Sequence, residues 1–330
     1  MTNREAGTSA TTHATGFRAT VTGATGFVGR RLVEALPTPT VLGRDPGRAR
    51  AVLGGAVEAR AWDPSAGLAP VDPLRGRDAV FHLAGEPVAE GSWTPARRAR
   101  IRDSRVLGTR HLVQALAALP PGERPRVLVS ASAVGLYGSR GDEELTEAAA
   151  PGDDFLADVC RAWEQEALAA EALGIRTVCL RIGIVLGAGG GALARLWPLF
   201  SFGLGGRLTF SGRQWVPWVH LDDVVGLALH AARDEGLRGP VNAVAPTPVR
   251  NREFTRALAR AARRPAPFAV PEFALRLVMG DLAQVMTASQ RCVPAAALAR
   301  GYRFLHPTID GALAAVARAR QEPHAWPVTA

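Results

Sequence analysis

A chain of 330 residues that is 47% apolar, with 35 Gly and 24 Pro, can bury a sizeable core and has the punctuation of a globular fold rich in tight turns. No apolar run approaches the roughly 18 residues that a membrane span requires, so no membrane partner is expected. The net charge of +9 rests on 39 basic residues that are all Arg, and no helix-turn-helix, zinc or single-strand-binding pattern accompanies them, which argues against a nucleic-acid partner.

The first 16 residues, MTNREAGTSATTHATG, are small and polar with no apolar stretch, and read as a disordered leader. From residue 17, short apolar runs alternate with helical periodicity. FRATVTG, TVLGR, VEARAWD, DAVFHLAG, RVLVSAS, IRTVCLRIG and GPVNAVA are seven candidate strands. This alternation predicts an α/β fold, a Rossmann-type doubly wound parallel sheet with a smaller, mainly helical C-terminal substrate lobe. Residues 17–185 plus 220–245 are assigned to the sheet domain and 186–219 plus 246–330 to the lobe.

Strand one runs into GATGFVG, which places Gly23, Gly26 and Gly29 at G-x-x-G-x-x-G spacing ahead of a helical RRLVEAL. Glycine is needed where a backbone turns tightly and approaches a pyrophosphate, and the helix N-terminus beyond it offers free N–H groups. The end of strand two holds Arg44 and then Asp45. A planar guanidinium suits the 2′-phosphate of NADP(H), whereas an acid facing the same spot would favour NAD, and the balance falls to NADP(H). Asp63, closing strand three, is a candidate acceptor for the adenine amine and equally a loop cap. In PARRARIRDSR, Arg98, Arg102 and Arg105 fall at i, i+4, i+7 and are expected to form one solvated or phosphate-facing helix face. Cys160, Cys179 and Cys292 have neither metal-ligand spacing nor a disulfide framework, so no metal and a reducing cytoplasm are expected.

VTGATGFVG, HLAGEP, SASAVGLYG, LRIGIVLG and WVHLDDV, in that order, resemble the motifs of the extended short-chain dehydrogenase/reductases. GSWTPARRARIRDSRVLGTRHLV, FLADVCRAWE and SQRCVPAAALARGYRF look like an atypical branch, the NAD-dependent epimerase/dehydratase-like or nucleoside-diphosphate-sugar epimerase-like proteins. The resemblance spans about residues 18–317. It implies a nicotinamide dinucleotide with its pyrophosphate on residues 23–29, which include Thr25, Phe27 and Val28. It further implies Ala84 and Gly85 beside the ribose, Ser130, Ala131 and Ser132 lining the nicotinamide pocket, and Gly183 to Val185 facing the carboxamide. Arg181, in the same motif, is counted with the cofactor residues.

The superfamily's usual catalytic set is a Ser with a Tyr-x-x-x-Lys, the Lys lowering the phenol's pKa for proton exchange. Ser132 matches the Ser, but LADVCRAWE puts Leu156 and Cys160 where the Tyr and Lys would stand, and the chain has no Lys at all. Leu156, Cys160, Trp163 and Ala167 follow the buried face of a helix, and Glu164 is a possible partner for an Arg. Tyr137, in the loop beyond strand five, Glu86, directly after HLAG, and Cys160 are the other candidates for proton transfer, while His220 reads as a structural loop residue. Segment 189–218, rich in Gly and aromatics, suits the wall or lid of a pocket. The expected protein is an NADP(H)-dependent oxidoreductase or epimerase-like enzyme with a small-molecule substrate, as a monomer or homodimer. The alternative is a non-catalytic NADP(H) sensor.

Overall fold

The strand candidates assemble into one parallel sheet of β1 (Ala19–Thr22), β2 (Thr40–Gly43), β3 (Glu58–Ala61), β4 (Ala79–His82), β5 (Val127–Ala133), β6 (Arg176–Ile182) and β7 (Gly239–Ala243). The spatial order is β7-β6-β5-β4-β1-β2-β3, and every pairing is parallel. The winding reverses between β4 and β1, which opens a crevice outside their carboxyl ends. The structure, a computed structural model, describes residues 16–321 apart from positions 56, 90, 92, 272, 274, 276, 278, 279 and 281. All but the last residue of the expected leader lies outside the described residues.

Strands buried on both faces are nearly continuous in apolar residues, and side-chain alternation divides them between two layers. Ala79 and Phe81 point to one side with Val21, Val129 and Leu180, where α1 (Phe27–Glu34) brings Leu32 and Val33 and α6 (Leu221–Arg233) brings Leu227 and Ala231. Val80 and Leu128 point to the other, against Leu112, Val113 and Leu116 of α3 (Pro95–Ala117). Helix α2 (Pro46–Leu53) joins β2 to β3, and α4 (Phe155–Leu168) packs beside α3.

A second core gathers residues from well-separated stretches. Leu193 and Phe200 of α5 (Gly191–Ser201), Trp218, Phe254 and Leu258 of α7 (Asn251–Ala262) and Leu313 of α10 (Ile309–Ala319) pack together. The short α8 (Leu282–Thr287) and α9 (Ala295–Ala299) lie between α7 and α10 in the chain. Two-stranded ribbons tie these pieces to the sheet domain, among them 144–145 with 291–292 and 184–186 with 218–220.

Candidate functional site

The glycine turn lies at the crevice. Gly23 has φ +68, and a Cβ there would come within 2.6 Å of the Leu83 carbonyl, so both its conformation and the approach of the segment after β4 exclude a side chain. A Cβ on Gly29 would come within 2.2 Å of the Gly23 oxygen. Gly26 is the N-cap of α1 and supplies no side-chain cap, so among the described residues no side chain caps the first N–H groups of that helix. This cradle fits a pyrophosphate. Phe27, the first helical residue, is covered by the loop 187–191, where a Cβ on Gly190 would meet its ring at 2.2 Å. Val28 packs on the main core, and the Thr25 carbonyl accepts from Arg30 Nε at 2.8 Å.

At the end of β2 the two alternatives separate. The Asp45 carboxylate turns into its own helix and accepts from the Arg48 amide at 2.9 Å as the N-cap of α2. Arg44 stays exposed just beyond β2. Asp63 accepts from the Ser65 amide at 2.9 Å, the loop-cap geometry.

Across the crevice, the Ala84 amide donates to Thr22 Oγ1 at 3.2 Å. That hydroxyl also meets His82 Nδ1 at 2.8 Å, and His82 Nε2 meets Thr109 Oγ1 of α3 at 3.0 Å. The chain thus fixes the segment carrying Ala84 and Gly85 against the glycine turn. Ser130 is fully buried, with its hydroxyl on the Ala131 carbonyl, and Ala131 is buried beside it. Gly183 is forced by the Pro217 carbonyl, 2.2 Å from where its Cβ would be, and Val185 stands opposite Val219 in the next short pairing.

Three polar residues stand on the α4-facing side of adjacent strands. Ser132 of β5 is level with Arg181 of β6, which is level with Asn242 of β7. Glu164 of α4 closes the group: Ser132 Oγ donates to it at 2.6 Å, and Arg181 grips both its oxygens through Nε and Nη2, each at 2.9 Å. Arg181 Nη1 donates to Tyr137 Oη at 2.9 Å, and that hydroxyl donates to Asn242 Oδ1 at 2.7 Å. Burial pulls the guanidinium's pKa down, but the hydrogen bonds and charge of Glu164 outweigh it and the net shift is upward. Arg181, expected at the cofactor, therefore spends its donors inside the protein. Tyr137 is fully buried, and burial, only partly offset by Arg181, pushes its phenol up to about 12.

The helix that departs from the usual motif is sealed. Cys160 is buried, its thiol pushed up to about 12 by burial and then by Glu164, so it stays protonated at neutral pH. Leu156 is half-buried, and a Cβ on Gly135 would touch its side chain at 3.4 Å. The Glu86 carboxylate is held by Arg97 at 2.5 Å. The expected arginine face divides: Arg98 lies over the rings of Trp93 and Phe155, Arg102 pairs with Asp103 at the surface, and Arg105 turns inward over Trp163. The inward turn has a sequence signal, since Arg105 falls in one stripe with Ile101, Gly108 and Leu112, all three buried.

His220 caps α6, its Nδ1 accepting from the Asp222 amide at 3.2 Å, and its ring lies 3.8 Å from that of His306. His220, Asp222 and His306 come together with ligand-like spacing, but Arg31 pairs with Asp222 at 2.8 Å and the helix N-terminus adds positive charge, which disfavours a cation. Asp223 instead fastens the C-terminal segment, accepting from the amides of Leu305 and His306. A cavity of about 550 Å³ opens on the lobe side, where segment 189–218 contributes Thr209, Ser211, Arg213 and Gln214 to its wall. None of its lining residues belongs to the glycine turn or to the ends of β4 and β5.

A family model described as NAD dependent epimerase/dehydratase family matches residues 19–243, and one described as Domain of unknown function (DUF1731) matches 270–316. The chain is 37% identical over 307 residues to the Epimerase family protein SDR39U1 homolog, chloroplastic, of Arabidopsis thaliana, covering 90% of this chain and 85% of that one. It is 39% identical over 296 residues to Epimerase family protein Mb2239 of Mycobacterium bovis, covering 89% and 95%. Among solved structures, human epimerase family protein SDR39U1 (isoform 2) with NADPH superposes with a TM-score of 0.80 at 30% identity, covering 91% of this chain and 99% of that one. The nucleoside-diphosphate sugar epimerase from Corynebacterium glutamicum gives a TM-score of 0.70 at 34% identity, covering 91% and 58%.

Proposed function

The chain belongs to the NAD dependent epimerase/dehydratase family, and from that premise we propose that it is an NADP(H)-dependent oxidoreductase or epimerase-like enzyme whose proton transfer does not use a Tyr-Lys pair. The carrying observation is the uncapped N-terminus of α1 behind a turn whose three glycines bring backbone segments too close together for side chains, the shape of a pyrophosphate-binding turn. Arg44 takes the 2′-phosphate, because Asp45 is spent as a helix cap, and the NADPH of the human relative supports this choice. When bound, the nicotinamide supplies or accepts hydride.

The chain's own residues then hold the substrate oxygen. Ser132 donates its hydroxyl hydrogen bond to Glu164, so its oxygen is free to accept from a substrate hydroxyl, or from a water whose second proton goes to a substrate carbonyl oxygen, with the Glu164–Arg181 pair fixing the orientation. Tyr137 acts from behind as a positioning residue, since its hydroxyl is spent between Arg181 and Asn242. The Cys160 thiol stays neutral. Membership of the epimerase/dehydratase family favours an enzyme over a sensor. The relatives support a sugar-bearing substrate such as the nucleoside-diphosphate sugar named for the Corynebacterium glutamicum protein.

Steady-state NADPH oxidation over carbonyls, enones and oxidised nucleoside-diphosphate sugars tests this reading. Turnover that falls about 10-fold or more in Ser132→Ala supports it. Tight NADPH binding with no turnover on any substrate transfers the protein to the sensor reading, which the sealed Tyr137 and Cys160 favour.

A further inference from the structure

Helix α4 carries Cys160 where the usual motif of the resembled superfamily has a Lys, and α3 brings a cation, Arg105, close to it. The Arg105 guanidinium carbon lies 5.1 Å from the centroid of the Trp163 ring, one turn along α4 from Cys160. On its other side, a Cβ added to Gly85 would be 3.2 Å from that carbon and 3.3 Å from Nη2. Arg105 is thus wedged between the end of β4 and α4. Its charge reaches the Cys160 sulfur and favours the thiolate there, against the larger effect of burial. Nη1 donates to the carbonyls of Glu86 at 3.0 Å and Ile101 at 3.1 Å, and among the described residues no acceptor is bonded to Nε or Nη2. The Trp163 indole N–H at the same place is buried without a partner among the described residues.

Donors left unspent on a guanidinium held this firmly call for an oxygen acceptor, because Arg carries no acceptor of its own. With a pyrophosphate at the N-terminus of α1, the next part of a dinucleotide along the crevice, past Gly85 and toward Ser132, is the nicotinamide nucleoside. We propose that Arg105 supplies from α3 the cation that α4 lacks at Cys160, and that its Nε and Nη2 bind the ribose hydroxyls on the nicotinamide side of the cofactor. This rests on the cofactor reading above. A fixed cation beside the ring also disfavours a pyridinium relative to the neutral dihydropyridine, so it tilts binding toward NADPH over NADP⁺.

Titrating the full chain with NADPH, NADP⁺ and adenosine 2′,5′-bisphosphate, which lacks the nicotinamide half, tests the assignment. Arg105→Met is expected to weaken NADPH about tenfold or more, to narrow the preference for NADPH over NADP⁺, and to leave the bisphosphate within about twofold. Arg105→Lys is expected to recover part of the lost NADPH affinity, which a purely structural role for the guanidinium would not require. The assignment is overturned if Arg105→Met leaves NADPH within about twofold of wild type, or if the bisphosphate weakens in parallel with it. Wild type that binds neither NADPH nor the bisphosphate overturns the cofactor reading itself, and the assignment with it.

Discussion

Glu164 governs what three of its neighbours can do. It accepts the Ser132 hydrogen bond, neutralises the buried Arg181 and, through Arg181, holds Tyr137 in place. Glu164→Ala leaves an uncompensated guanidinium in the interior and is expected to cost about 3–5 kcal/mol in urea denaturation; a loss under about 1 kcal/mol would show that Arg181 finds another partner. Installing the usual pair with Leu156→Tyr and Cys160→Lys is expected to give no efficient dehydrogenase, because the ammonium would face Arg105 in an apolar wall. Activity raised to a typical dehydrogenase level in that variant would refute this. The sequence carried Glu164 as a possible arginine partner but not which arginine, since the pairing depends on how α4 crosses β6. A signal was nonetheless present: Ser132, Arg181 and Asn242 are polar residues near the carboxyl ends of three adjacent strands, and alternation puts all three on one face. Arg181, counted with the cofactor residues from its motif, has its donors taken by Glu164, Tyr137 and Glu147, partners that lie 17 to 44 positions away in the chain.

At the scale of elements, His82 of β4 holds β1 and α3 in register around the crevice through Thr22 and Thr109. Burial holds its imidazole down to about 4, against an ordinary value of 6.5, so the unfolded chain takes up the proton first. Its contribution is therefore intact above about pH 6.5 and is lost as pH falls toward 4, at a limiting slope of about 1.4 kcal/mol per pH unit. His220, lowered to about 4 by burial and then by His306, acts in the same direction. Denaturation at pH 7.5, 6 and 5 is expected to show this decline, and a shallower one in His82→Gln; identical slopes would remove His82 as its source. The strands and the glycine turn were legible because their periodicity and Gly spacing are local. The Thr22–His82–Thr109 chain was not, because it joins residues 27 and 60 positions apart that only the sheet brings together.

Across the whole molecule, the C-terminal segment is joined to the sheet by apolar packing, with Cys292 against Tyr137 and Leu145 and Ala297 in the main core, and by polar contacts. Asp223 ties the C-terminal segment to α6, and Asn242 donates to the carbonyls of Leu145 and Val293. The alternation of apolar runs and helical periodicity predicted parallel strands with crossover helices, whereas the lobe draws its core from residues between Leu186 and Val316 with no repeating pattern to announce them. The central claim concerns the cofactor that this architecture holds, and titration of NADPH and NADH into wild type and Arg44→Ala by fluorescence tests it most directly. The account predicts that NADPH binds more tightly to wild type, and that Arg44→Ala weakens NADPH by about 1–3 kcal/mol while leaving NADH nearly unchanged. Equal affinities in wild type, or tighter NADH, would contradict it.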